Sequence, residues 1–360
     1  MIGSKCHRGG RPWPLAAAGA TAVPLDRRAG EQALRTGTPP IPSSANPPRP
    51  AHPPCDRPAR PRLLADPLPP GIAGDPGLFG PGSQVWQIWR ERLLLLGGPA
   101  AVLLQLAHPL IAAAVATHSS FQDNPLRRLH AVLNITLTVV FGDHQQATAA
   151  AARVGEVHRR VQGRLPAASG CFPAGSPYRA SDPQLALWAH ATLIMVALEV
   201  VDQFVSPLDS QQRADYYQQS KPFARLFGVT DQLLPDDYEG FQAYLRRMLH
   251  GPELAVDQTA QELAAAVLAG WLRGLPHPPG ATTRLLTAGL LPARFQEGYG
   301  LAWGRPQQHR YAVLRTLVGA AVPSLPPSVR FWPHYLVALR RVAATPERWG
   351  AAGAGRAAMN

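Results

Sequence analysis

Cysteine is scarce in this 360-residue chain, with three residues at 6, 55 and 171 and no CxxC pair. That excludes a disulfide-stapled framework and a CxxC-type zinc site, and a reducing, cytoplasmic compartment is expected. Lysine is scarcer still: Lys5 and Lys221 are its only occurrences, and no acidic residue stands between Glu91 and Asp123. Several catalytic templates are also missing, among them a GxSxG elbow, a GxxxxGK[ST] loop, an HExxH helix and the Glu-x-x-His pairs of a di-iron bundle. No segment alternates with period two and no Asn-Gly or Asp-Gly turn appears, so nothing announces a sheet. What is present is apolar: 46% of residues are hydrophobic and 16% charged, which excludes a wholly disordered chain.

The formal charge of +12 resembles a nucleic-acid signal until it is located. Residues 1–62 hold ten basic and three acidic side chains together with 13 of the 39 prolines, leaving the remaining 298 residues close to ordinary charge balance. A Pro/Arg segment with few large apolar residues cannot offset its ordering entropy, so residues 1–80 are predicted to be a disordered tail and linker. Trp13 is the tail's single aromatic, too few for a single-strand binder, and no nucleic-acid partner is expected. A basic tail can still touch anionic lipid, which makes peripheral membrane contact an expectation. The Ala-rich stretch between Pro14 and Pro24 makes a poor secretory signal.

Residues 81–345 read as one all-α domain, and 346–360 as a flexible C-terminal tail. Leu93–Thr117 is long and uncharged enough to cross a membrane, but Gly97-Gly98-Pro99, Gln105 and His108-Pro109 interrupt it. A buried helix opening at Pro99 and kinked at Pro109 is the preferred reading. Further helices are predicted over Pro125–Val140, Gln145–Gln162 (ending at Gly163 as a C′ glycine), Gln184–Val201, Ser210–Phe227, Tyr238–Leu249, Ala260–Leu272, Val313–Ala321 and Trp332–Ala344. Ser181-Asp182-Pro183 supplies both a capping side chain and a first-turn proline.

The residues left to carry chemistry are histidines on apolar helix faces. His158 has Val154 and Val161 at i−4 and i+3 and Gly155 one turn earlier, so a flat group could approach the backbone there. A neutral imidazole in that setting suits iron, while the bland alternative is a core histidine bonded to a carbonyl. His190 sits among Ala186, Leu187, Leu193 and Ile194, and His108 precedes Pro109, which frees a carbonyl. Three inward histidines on three helices imply a polar-lined cavity in an apolar interior. Arg127 and Arg128 open the second predicted helix, where an arginine could pair with a carboxylate such as a haem propionate or simply be solvated.

Taken in order, GGPAAVLLQLAHPLIAAAVATHSSF, DNPLRRL, VVFG, VHRRVQG, YRASDPQLALWAHATL and YYQQSKPFARLFGV resemble the MpaB-type oxygenases, a family that includes latex-clearing rubber oxygenases. The resemblance spans about residues 93–249 and extends through LLPARFQEGYGLAW. It implies a globin-like, all-α core with a buried cavity for one haem b, and oxygenase chemistry with dioxygen on a lipophilic or isoprenoid-like small molecule. By motif position it makes His158 of VHRRVQG the proximal iron ligand, His190 of WAHATL a second cavity residue and the alternative ligand, and His108 a cofactor-pocket residue. It makes Arg128 of PLRRL the arginine near the haem; Arg128 and His190 are then the expected catalytic donors. The walls would be Leu103, Leu106, Ile111, Leu193 and Ile194. Rubber oxygenases carry lysine and threonine where this chain has Ala131 and Val132, so polyisoprene cleavage is not expected. The competing readings are a non-catalytic membrane-associated helical protein and a haem sensor or carrier without turnover. Neither electron donor nor oligomeric state is legible.

Overall fold

The structure is a computed structural model and describes residues 68–119, 125–270 and 279–344. The tail predicted over 1–80 falls mostly outside that range, as does the C-terminal tail from 346. The described chain is predominantly helical. Its helices are α1 (Gln84–Trp89), α2 (Gly98–Leu106), α3 (Pro109–His118), α4 (Pro125–Phe141), α5 (His144–Arg160), α6 (Pro183–Phe204) and α7 (Ser210–Leu226). They continue with α8 (Tyr238–His250), α9 (Gln258–Gly270), α10 (Pro279–Gly289), α11 (Ala293–Gly298), α12 (Arg305–Ala321), α13 (Pro327–Arg330) and α14 (Pro333–Ala343).

The core is built around α6. Asp182 caps it through Gln184 N at 2.8 Å, Pro183 occupies its first turn, and Leu187, Trp188, Ala191, Ile194, Val200 and Phe204 are buried along its length. Each large side chain so enclosed contributes about 1.5–3 kcal/mol. Trp188 is fully buried and donates its indole N–H to Leu104 O on α2 at 3.0 Å. Gly97 lies where a Cβ would collide with Val196 and come within 2.8 Å of Val200 Cγ2, so the chain entering α2 presses directly on α6. Among the described residues α6 is the one helix long and apolar enough to span a membrane, and 67% of its most apolar window is buried in the protein.

The apolar run Leu93–Thr117 is not one kinked helix. A 3-10 segment (Arg92–Gly97) leads into α2, and α3 leaves at 103°. His108 is extended (φ −85°, ψ 113°) and Pro109 starts α3 as its first residue, so proline here nucleates a new helix instead of bending an old one. The reading of everything ordered as helical also needs correction. Gln162–Arg164 (β1) pairs antiparallel with Pro177–Arg179 (β2), aligning Gly163 with Tyr178. Gly163 is therefore a strand residue and not a helix C′ glycine: a Cβ there would sit 2.6 Å from Tyr178 Cζ. Three-residue strands are too short to show a period. Helices α1, α10, α11 and α13 have no counterpart in the sequence prediction.

A strap precedes the helices. Ile72 N donates to Asp143 Oδ2 at 2.8 Å, Gly74 N to Arg341 O at 2.9 Å, and Arg341 Nε to Asp75 O at 2.8 Å. Asp143 also caps α5 through Gln146 N at 2.7 Å, so one buried carboxylate holds both the strap and the start of that helix.

Candidate functional site

Helix α5 begins under the strap and runs outward. Ala147 and Ala151 on its inner face are buried; Val154 and His158 continue the same face at i+3 and i+7, and both are half-covered. His158 thus points along the inward stripe, as its valine neighbours predicted, but at the end of the helix where burial runs out. A Cβ on Gly155 would meet no atom within 4 Å. The end of α3 is fastened beside it: His118 Nε2 lies 3.1 Å from Gln162 O, just past α5, and 3.3 Å from Tyr178 Oη. Ile111 and Val115 on α3 and Leu133 on the adjacent α4 are apolar and only partly buried. Of these two helices α4 packs along α5, and α3 reaches the segment just past it through His118.

His190 has the opposite surroundings. It is buried on α6, its ring stacks on Phe223 of α7 (centroids 5.6 Å, 17° apart), and Nε2 is 3.3 Å from Ser220 Oγ. Desolvation lowers its pKa to about 4, so the imidazole is neutral near pH 7. The cavity beside it is lined by Phe79, Trp89, Leu193, Ile194, Tyr216 and Phe223 and holds about 10 Å³, the room of one water. Leu193 and Ile194 line this small cavity. Leu103 and Leu106 are instead packed inside the α2 core, and Ile111 belongs to the α3 side.

His108 is the N-cap residue of α3, 6% exposed, with its ring 5.2 Å from that of Phe172. Burial lowers its pKa to about 4 against the pull of Asp182 and Glu253, and its Nδ1 is buried without a hydrogen-bond partner among the described residues. Arg128 lies on α4, and its side chain falls outside the described residues. The three histidines thus occupy three separate settings: an enclosed core position, a buried helix start and a half-open helix end. Among the described residues no group of three or more His, Cys, Asp or Glu side chains could hold a metal ion. Iron in a porphyrin needs a single protein ligand, so that finding bears on bare-ion sites alone.

The sequence reading passed over Ser220 and Phe223, yet the signal was present. In YYQQSKPF, Tyr216, Ser220 and Phe223 recur at i, i+4 and i+7, one face of α7, and all three line the His190 cavity.

Residues 86–320 match the family described as "ER-bound oxygenase mpaB/B'/Rubber oxygenase, catalytic domain". Two similar proteins are the uncharacterized protein Mb2261 of Mycobacterium bovis and the uncharacterized protein Rv2237 of Mycobacterium tuberculosis. Each is 26% identical over 239 residues, which cover 63% of this chain and 89% of the relative. No solved structure matches the chain.

Proposed function

Because the chain belongs to the family of mpaB-type and rubber oxygenase catalytic domains, we propose that it is a haem b-dependent oxygenase with His158 as the iron ligand. Its substrate is then a small lipophilic or isoprenoid-like molecule, attacked with dioxygen. The observation that carries the assignment is the space at the end of α5: His158 lies on the inward stripe, half-covered, next to Gly155, over which a Cβ would meet nothing within 4 Å. A flat group bound at His158 would meet no side chain over Gly155. The setting of His190 fits less well, since its ring is stacked on Phe223 and the adjoining cavity has room for one water.

Bound haem would supply the redox chemistry that activates dioxygen. The chain's own part is positional. His158 would present a neutral nitrogen from a helix whose other end is fixed by the Asp143 capping box. Ile111, Val115 and Leu133 would give an apolar wall that excludes water and accepts a greasy substrate. Arg128 on α4 is assigned to a haem propionate, the pairing its guanidinium geometry suits. With Ala131 and Val132 at the positions where rubber oxygenases carry lysine and threonine, a small substrate is favoured over a polymer. A cytoplasmic location with peripheral membrane contact belongs to the same proposal.

The test is an absorption spectrum of the chain produced with haem supply. A Soret band that shifts with dithionite and again with carbon monoxide is expected, and His158→Ala is expected to lose stoichiometric haem while His190→Gln retains it. Full haem retention in His158→Ala overturns the ligand assignment; a folded, colourless wild-type chain overturns the haem reading.

A further inference from the structure

Between Glu297 and Glu347 the sequence has no acidic residue and six arginines. Two of these are used internally: Arg330 forms a two-point pair with buried Glu91 (both contacts 2.8 Å), and Arg341 is 4% exposed beneath the strap. Arg305, Arg310 and Arg315, all on α12, face solvent, as does Arg340. From Thr316 to Val329 the chain carries no charge of either sign. A buried segment of that composition would be ordinary, but this one is mostly exposed. Val313 is 45%, Leu317 63% and Val329 51% exposed, half of the six large apolar side chains left uncovered among the described residues. Val313 and Leu317 are one turn apart on one face of α12, with Ala320 on the same side, while Tyr311 is the one fully buried side chain of that helix.

We propose that the outer face of α12, together with the uncharged turn after it, docks on an anionic lipid bilayer. Val313 and Leu317 would enter the boundary between headgroups and acyl chains, with Arg305 and Arg310, which flank them around the helix, on lipid phosphates. An apolar strip flanked by arginine and free of acid is the composition that such a surface retains. The other simple occupant is a second copy of this chain, and the experiment below separates the two. The surface is separate from the end of α5, so its test stands or falls independently of the haem assignment.

The experiment is flotation of the full chain with vesicles of phosphatidylcholine, alone or with about 30 mol% phosphatidylserine, at low and high salt. The expected result is co-flotation with the anionic vesicles that weakens with salt. Val313→Glu/Leu317→Glu is expected to lower partitioning about tenfold, since a charge replaces each inserted apolar group, with unchanged helical content. Arg305→Gln/Arg310→Gln should reduce the preference for phosphatidylserine. Wild-type flotation by the double glutamate variant overturns the proposal and assigns lipid binding to another region, such as residues 1–62. Failure to float with either vesicle also overturns it, as does a lipid-free dimer that the same two substitutions dissolve.

Discussion

The two ends of the helical core are finished differently. Around α6 every histidine, tryptophan and tyrosine has a neighbour: Trp188 donates to Leu104 O, Trp89 to Tyr216 Oη at 3.0 Å, and His190 lies between Phe223 and Ser220. At the far end of α5 the inward stripe loses its cover between Ala151 and His158. Interiors normally pack to crystal density, and the proposed cofactor would sit where this stripe is left half-covered. The contrast also separates two settings of histidine, one enclosed in the core at His190 and one half-covered at a helix end at His158.

If the α6 side is the closed half, the largest loss should follow from opening it. Trp188→Ala removes a fully buried ring and orphans Leu104 O, and a drop of about 3–5 kcal/mol in unfolding free energy is expected by urea titration. A change below 1 kcal/mol would mean that this half is not the closed one. Acid should strain the same half next. The folded-state pKa of His190 lies near 4, below the usual value of 6.5, through desolvation, and that of His108 likewise. In that interval the unfolded chain binds more protons, so stability is full above about pH 6.5 and falls as the pH drops toward 4. The loss is on the order of 3 kcal/mol per fully titrated group, and His190→Gln should flatten roughly half of the slope in unfolding curves taken between pH 7 and 4.5. The finest comparison uses two glycines. Gly97→Ala meets Val196 and Val200 in the closed half and should cost about 1–3 kcal/mol. Gly155→Ala, in a helix with nothing over it, should stabilise the haem-free chain by about 0.5–1 kcal/mol while weakening haem uptake measured by Soret titration.

Most of the helical architecture was legible because its signals are local. Asp182-Pro183 marked the start of α6 to within one residue, and the helices predicted over Ser210–Phe227 and Tyr238–Leu249 match α7 and α8 to within one residue at each end. What was not legible depends on distant partners. Gly163 reads as a helix stop until Tyr178 is placed opposite it, and Pro109 reads as a kink until α3 is seen leaving at 103°. The inward facing of His158 could be read from Val154 at i−4. That it ends at a half-covered edge could not, because cover on α5 is supplied by the distant helix α7 as well as by α4. The partners of His190 were spelled in YYQQSKPF, but only the packing of α7 on α6 makes Ser220 and Phe223 its neighbours.

The strap carries a practical lesson about where this domain begins. The family match starts at residue 86, yet Asp143 and Arg341 are already committed to residues 72–75, and Phe79 closes one wall of the His190 cavity. A truncation designed on the match alone would strip a carboxylate of its amide donor, leave a guanidinium facing a void and unroof an aromatic pocket in one cut. The folding unit must therefore be cloned from Leu68 or earlier, and a tag or fusion joined at residue 86 would report the behaviour of a damaged protein.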